Sequence, residues 1–77
     1  MKYKNGDDIR PGDVVSIDAR YRGTVVASMD THEYLPGAED WAYLGEGVII
    51  DTEFGGMVHY TAAATDELIL LERPARA

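Results

Sequence analysis

Hydrophobic and polar residues alternate along this chain in short stretches, and turn-forming residues interrupt them every eight to twelve positions. That spacing belongs to a short-stranded all-β domain. The pattern predicts strands over residues 13–18, 24–29, 48–54, 57–61 and 68–72. In the second of these, Val25, Ala27 and Met29 are set to face one way and Thr24, Val26 and Ser28 the other. Asn5-Gly6-Asp7 is a turn signal, and Arg10-Pro11-Gly12-Asp13 places Pro and Gly as a type II turn prefers. Arg20-Tyr21-Arg22-Gly23 is expected to close the first hairpin and Gly55-Gly56 the second. Thr65-Asp66-Glu67 suits the cap of a single helical turn before the last strand.

Between the second and third predicted strands runs a long connection, residues 30–47, holding Tyr34, Pro36, Gly37, Trp41 and Tyr43. Within it, residues 38–44 suit one or two turns of helix, with Glu39 and Asp40 at the positive end of the dipole. A loop this long in so small a domain is more often functional than not. No internal repeat, heptad or low-complexity tract is present. Five short strands, a Pro-Gly-Asp lead-in and a helical turn before the last strand resemble the SH3-like small barrel of SH3, Tudor and KOW domains. The expected architecture is thus one all-β domain over residues 1–77, a five-stranded SH3-like barrel with one long loop. A split barrel of the OB type is the alternative, though it usually takes more residues and a longer helix.

The length of 77 residues leaves no room for a second domain, since a chain of this size buries only about 60–65% of its unfolded surface. Cysteine is absent, which removes disulfides, thiolate nucleophiles and Cys-based zinc sites together. A hydrophobic fraction of 45% with 27% charged residues fits a folded domain rather than an acidic tail. The first residues carry Lys2 and Lys4 with no apolar stretch behind them, unlike a secretory signal. No apolar run exceeds four residues, against the roughly 20 that span a bilayer, and no lipidation motif is present. These features favour a soluble, cytoplasmic protein without a membrane partner.

Charge changes the picture most. Eight Asp and six Glu face seven Lys and Arg, for a formal net charge of −7. The bases stand at the two ends: Lys2, Lys4, Arg10, Arg20 and Arg22, then Arg73 and Arg76. Residues 23–72 contain no Lys or Arg but ten acids, Asp30, Glu33, Glu39, Asp40, Glu46, Asp51, Glu53, Asp66, Glu67 and Glu72. One side of the folded chain is therefore expected to be strongly negative with no internal counter-charge. Nucleic-acid binding draws its affinity from bases that neutralise phosphates, so this distribution argues against it, leaving only a terminal patch of Lys and Arg. An acidic face instead steers basic partners. Its bland alternative is solubility alone.

Catalytic and metal chemistry finds little footing. His32-Glu33 begins like a metalloprotease motif, but Pro36 stands where the second His is needed. His59 is placed in a strand, where an outer or half-buried position is the expectation. Ser16 and Ser28 sit in strands, outside any Gly-x-Ser-x-Gly turn. Gly45-Glu46-Gly47 leads into a strand and carries a carboxylate where a phosphate would sit. Asp7/Asp8, Glu39/Asp40 and Asp51/Glu53 are carboxylate pairs of a kind that arises by chance among 14 acids. The sequence reads as a non-enzyme with no catalytic residues, cofactor or metal.

Tyr34, Trp41 and Tyr43 are interleaved with Asp30, Glu33, Glu39, Asp40 and Glu46. Aromatic rings beside carboxylates receive Arg or Lys through cation–π contact and charge-assisted hydrogen bonds. Those eight residues are the candidate partner-binding set, with Trp41 open between an interface role and a plug for the core. Tyr3-Lys4-Asn5-Gly6, Pro11-Gly12-Asp13-Val14-Val15, Gly23-Thr24-Val25-Val26-Ala27-Ser28, Glu33-Tyr34, Trp41-Ala42-Tyr43-Leu44, Gly47-Val48, Val58-His59-Tyr60 and Asp66-Glu67-Leu68 together resemble a group of small bacterial SH3-like barrel proteins. Some of those are encoded beside antibacterial toxin loci of the type VI and Rhs kinds. The resemblance implies an immunity protein that blocks a basic toxin, and it transfers no site residues. The expectation is a non-catalytic module for a basic protein partner, monomeric or weakly dimeric. The alternative is a peptide-recognition module of SH3 or Tudor type for a Pro-rich or cationic segment.

Overall fold

Valine and isoleucine at alternate positions pair the chain into one antiparallel sheet, because each strand has a face to bury. The computed structural model describes residues 1–73, so Arg76 lies outside the described residues. The strands are β1 (Val14–Ile17), β2 (Tyr21–Ser28), β3 (Glu33–Tyr34), β4 (Val48–Thr52), β5 (Gly56–Tyr60) and β6 (Leu68–Glu72). Two 3-10 helices, Glu39–Leu44 and Ala62–Glu67, precede β4 and β6. The order across the sheet is β5-β4-β2-β1-β6, with β3 beside the end of β2. The all-β expectation holds, but the sheet is not closed: β5 and β6 are its ends. The strand beyond the five expected, β3, falls inside the long connection and is too short to show alternation.

Two turns differ from the sequence pattern. The β1–β2 turn is Asp18-Ala19-Arg20, not residues 20–23, because Ile17 pairs with Tyr21. Gly23 lies inside β2 for a different reason. A Cβ there would stand 2.5 Å from Cγ2 of Ile50, so the glycine marks a close approach rather than a bend. The second hairpin also turns earlier than expected. Thr52 pairs with Gly56, leaving Glu53-Phe54-Gly55 as the loop. The buried Thr52 hydroxyl closes it, donating to the Gly56 carbonyl at 2.7 Å and accepting from the Gly55 amide at 3.1 Å. Phe54 thereby reaches the hairpin tip and packs on Tyr21, ring centroids 4.8 Å apart. The Pro11-Gly12 turn forms as its chemistry predicts: Gly12 has φ +95° and the Asp13 amide donates to the Arg10 carbonyl.

A β-bulge in β2 divides the interior. Val25 opposes Ile50 while Ala27 opposes Ile49, so Val26 is the extra residue. Alternation therefore does not run through β2 as the sequence suggests. Val25 enters one core with Tyr3, Ile9, Val15, Ile17, Val48, Ile50 and Leu68. Ala27 and Met29 enter a second core with Ala38 and Ile49, covered by Tyr34, Trp41 and Leu44. Neighbours Ile49 and Ile50 are both buried because they point to opposite faces of the sheet and each face is covered there.

A buried carboxylate joins the two ends of the described chain. Asp13 is 1% exposed and accepts from the Tyr3 hydroxyl at 2.6 Å and the Arg10 amide at 3.0 Å. Arg73 grips it with Nε at 2.8 Å and Nη2 at 3.0 Å, and Nη2 also donates to the Asp8 carbonyl at 2.9 Å. Burial pushes the Asp13 carboxyl up, but the Arg73, Tyr3 and Arg10 hydrogen bonds outweigh it and hold the group below its ordinary value. Burial, reinforced by Asp13, drives the Tyr3 phenol upward, so it stays a donor.

Two outcomes follow from this architecture. Asp18 and Ala19 sit at φ 54° and 59°, where a Cβ is strained, so Ala19→Gly is expected to stabilise by about 0.5–1 kcal/mol in urea unfolding. Asp13→Asn is expected to cost about 2 kcal/mol, because it weakens the hold on Arg73. Since folding lowers the Asp13 value, its stabilisation is complete above the unfolded carboxyl value of about 3.9. It is lost as pH falls through the lower folded value. Thermal melts from pH 7 to pH 2 check both points: the wild type loses stability in that acid window, and Asp13→Asn loses less.

Candidate functional site

The long connection is built as a cover for the second core, and this decides which of its side chains remain available. From β2 the chain turns at residues 29–32, with His32 at φ 56° and its amide on the Met29 carbonyl. It returns through β3, and the Leu35 amide bonds the Val26 carbonyl at 2.8 Å. The Trp41 amide bonds the Ala38 carbonyl at 3.1 Å in the first 3-10 helix. Gly47, at φ +85°, passes so near the Tyr60 carbonyl and the His59 ring that no side chain fits.

The eight sequence-nominated residues divide accordingly. Trp41 and Tyr34 are half-buried against the second core, so Trp41 is in large part a packing residue. Tyr43, two positions on, is 78% exposed. Asp30 accepts from the chain's amino terminus at 2.9 Å and from the Gly47 amide at 3.2 Å. The ammonium hydrogen bond outweighs burial and holds its carboxyl below the ordinary value. Glu33 pairs with Arg10 at 3.0 Å and accepts from the Thr31 hydroxyl at 2.8 Å. Glu39 accepts from the Gly37 amide at 2.9 Å, while Asp40 and Glu46 are exposed. The Glu46 carbonyl accepts from the His59 ring at 2.8 Å, which places His59 on the outer face of its hairpin.

These contacts correct the expectation of an acidic side without internal counter-charge. The fold lays the basic first residues against the acidic loop, so Asp30 and Glu33 are neutralised within the chain. The terminal basic patch is depleted by the same pairings. Lys2 binds Asp8 at 2.8 Å, Arg10 binds Glu33, and Arg20 lies over the Tyr21 ring at 5.8 Å. Ten acids keep no ion pair among the described residues: Asp7, Asp18, Glu39, Asp40, Glu46, Asp51, Glu53, Asp66, Glu67 and Glu72.

A second location escaped the sequence reading. The connection covers the outer sheet face only over Ala27 and Ile49, leaving the other half open. There, Asp51 stands across from Thr24, Thr24 from Val14 and Val14 from Glu72. These residues, with Arg22 and Glu53, line an open groove of about 500 Å³. The signal was present in β4, where Ile49 and Asp51 share one face with Glu53 just beyond its end, but only the strand order brings Glu72 beside them. No group of His, Asp or Glu among the described residues is placed to hold a metal ion. No helix there is long and apolar enough to cross a membrane.

Trp41→Ala is expected to destabilise by about 2 kcal/mol, less than a fully buried ring would cost. Tyr43→Ala is expected to stay within about 0.5 kcal/mol of wild type. Denaturant titrations of the two variants side by side separate the packing aromatic from the presented one. Comparison of the chain with family models, curated proteins and solved structures finds no match.

Proposed function

We propose that this chain is a non-catalytic protein-binding module for a basic protein partner, most concretely an immunity-type inhibitor of a basic toxin. Its small antiparallel sheet is, in this reading, an SH3-like barrel, and its setting is the cytoplasm. The observation that carries the proposal is electrostatic. Exposed Glu39, Asp40, Glu46, Asp51, Glu53, Asp66, Glu67 and Glu72 have no ion pair among the described residues. Lys2, Arg10, Arg73 and the terminal amine are tied internally while these carboxylates face solvent, which speeds encounter with a cationic surface and disfavours anionic ones.

A second reading rests on Tyr43. At 78% exposure, in the same short helix as Glu39 and Asp40, it suits a cationic peptide segment. The half-burial of Tyr34 and Trp41 in the second core supports the folded-partner reading over a three-ring aromatic cage.

The test is capture of partners by the tagged chain from its native cells at low salt, with salt-step elution and mass spectrometry. The expected result is one stoichiometric basic protein, toxic when expressed alone and tolerated when co-expressed with this chain. Affinity for it is expected to fall about tenfold between low salt and roughly 0.5 M, as exposed charges are screened. Recovery of short peptidic partners would favour the second reading, and a partner without excess positive charge would sink the first.

A further inference from the structure

We infer that the docking surface for a basic partner is the open half of the sheet's outer face, spanning β5, β4, β2, β1 and β6, rather than the long loop. This inference rests on the basic-partner reading above and names where that partner sits. Three observations converge on it. First, half of the loop's candidate set is engaged elsewhere: Asp30 and Glu33 are ion-paired within the chain, and Tyr34 and Trp41 pack on the second core, leaving Glu39, Asp40, Tyr43 and Glu46 exposed. Second, the open half-face is a groove of about 500 Å³ whose charged lining is Asp51, Glu53 and Glu72 against Arg22. Neither these carboxylates nor the Arg22 guanidinium forms an ion pair among the described residues.

Third, apolar side chains flank the groove on the same surface. Met57 is the cross-strand neighbour of Asp51 and is 48% exposed; Ile69 is the neighbour of Ser16 and is 55% exposed. At the hairpin end, Phe54 is 51% exposed but packs at a tilt on Tyr21, whose register with Ile17 sets it on the opposite face of the sheet from the groove. Arg22 and Glu53, next to those rings in sequence, hold the two hairpins together, the Arg22 amide donating to Glu53 Oε1 at 3.0 Å. An acidic groove beside exposed Met57 and Ile69 offers a partner carboxylates for its cations and apolar surface for an adjoining side chain.

Charge selects the occupant. A second copy of this chain is a poor fit, because a two-fold pairing of identical faces sets Asp51, Glu53 and Glu72 against the same carboxylates. A protein segment presenting Lys or Arg beside an apolar residue meets both features. Its cations reach Asp51 and Glu72, and its apolar side chain lies on Met57.

The experiment is a backbone-amide NMR titration of the full chain with a capped hexapeptide alternating arginine and leucine. The same peptide with glutamate in place of arginine serves as the control. The expected result is shift changes concentrated at Val14, Arg22, Thr24, Asp51 and Met57, and none with the glutamate peptide. The double variant Asp51→Lys/Glu72→Lys is expected to weaken binding at least about tenfold, while Glu39→Lys/Asp40→Lys changes it less than about twofold. Both pairs are exposed, and the mapping on the unmodified chain decides the matter should a variant fail to fold. Shifts centred on residues 39–46 would overturn this placement and leave the basic-partner reading standing. Binding of neither peptide, or equal binding of both, would overturn this placement, while the capture experiment above decides the basic-partner reading separately.

Discussion

The Asp13 carboxylate is the constraint on which the rest of the structure hangs. It is buried, and a buried charge is tolerable only when its lone pairs are occupied. Tyr3, the Arg10 amide and Arg73 occupy them, and these groups come from both ends of the described chain. A single side chain therefore sets the first residues and the exit of β6 against the start of β1. Its backbone works in the same place: the Asp13 carbonyl accepts from the Val25 amide, and its amide closes the Pro11-Gly12 turn. In a chain that buries little apolar surface, such a tie contributes order that the core alone supplies weakly.

The bulge at Val26 has the next largest consequence. A regular β2 would send Val25, Ala27 and Met29 to one side and Thr24, Val26 and Ser28 to the other. With one extra residue, Val25 stays with the main core while Ala27 and Met29 change sides and meet Ile49. The long connection then has an apolar floor to lie on, which explains its Trp41, Leu44 and Ala38. Its length is accounted for by packing, and it leaves the rest of that sheet face uncovered.

Electrostatics follows from the same geometry. The chain carries its cations near its ends and its anions in the middle, and folding brings the first residues back across the acidic loop. Lys2, Arg10, Arg73 and the terminal amine each meet a carboxylate. What remains outward-facing on the open sheet and around the 3-10 helices is mainly negative, with Asp51, Glu53 and Glu72 outnumbering Arg22 in the groove. The proposed recognition of a basic partner is a consequence of which acids were left over rather than of the net charge itself.

The local features were legible from the chain. The Val- and Ile- or Leu-rich runs of Val14–Ile17, Val48–Thr52 and Leu68–Glu72, the Pro11-Gly12 turn and the helical tendency of residues 38–44 all depend on neighbours in sequence, and all are present. What local pattern could not carry were choices made by contacts distant along the chain. Gly23 looks like a turn residue until Ile50 is seen against it, and Gly55-Gly56 looks like the bend until Thr52 closes the loop one step earlier. Asp30 and Glu33 read as free acids because their cations lie some twenty to thirty positions away. Asp51 and Glu72 share a groove only because strand order sets β6 next to β1 and β4 next to β2. The sequence by itself determined an acidic, short-stranded antiparallel sheet, since period-two burial and turn chemistry act between neighbours. Tertiary structure alone decided the side-switching bulge, the paired acids and the open face, because each depends on a pairing between residues that sequence order keeps apart.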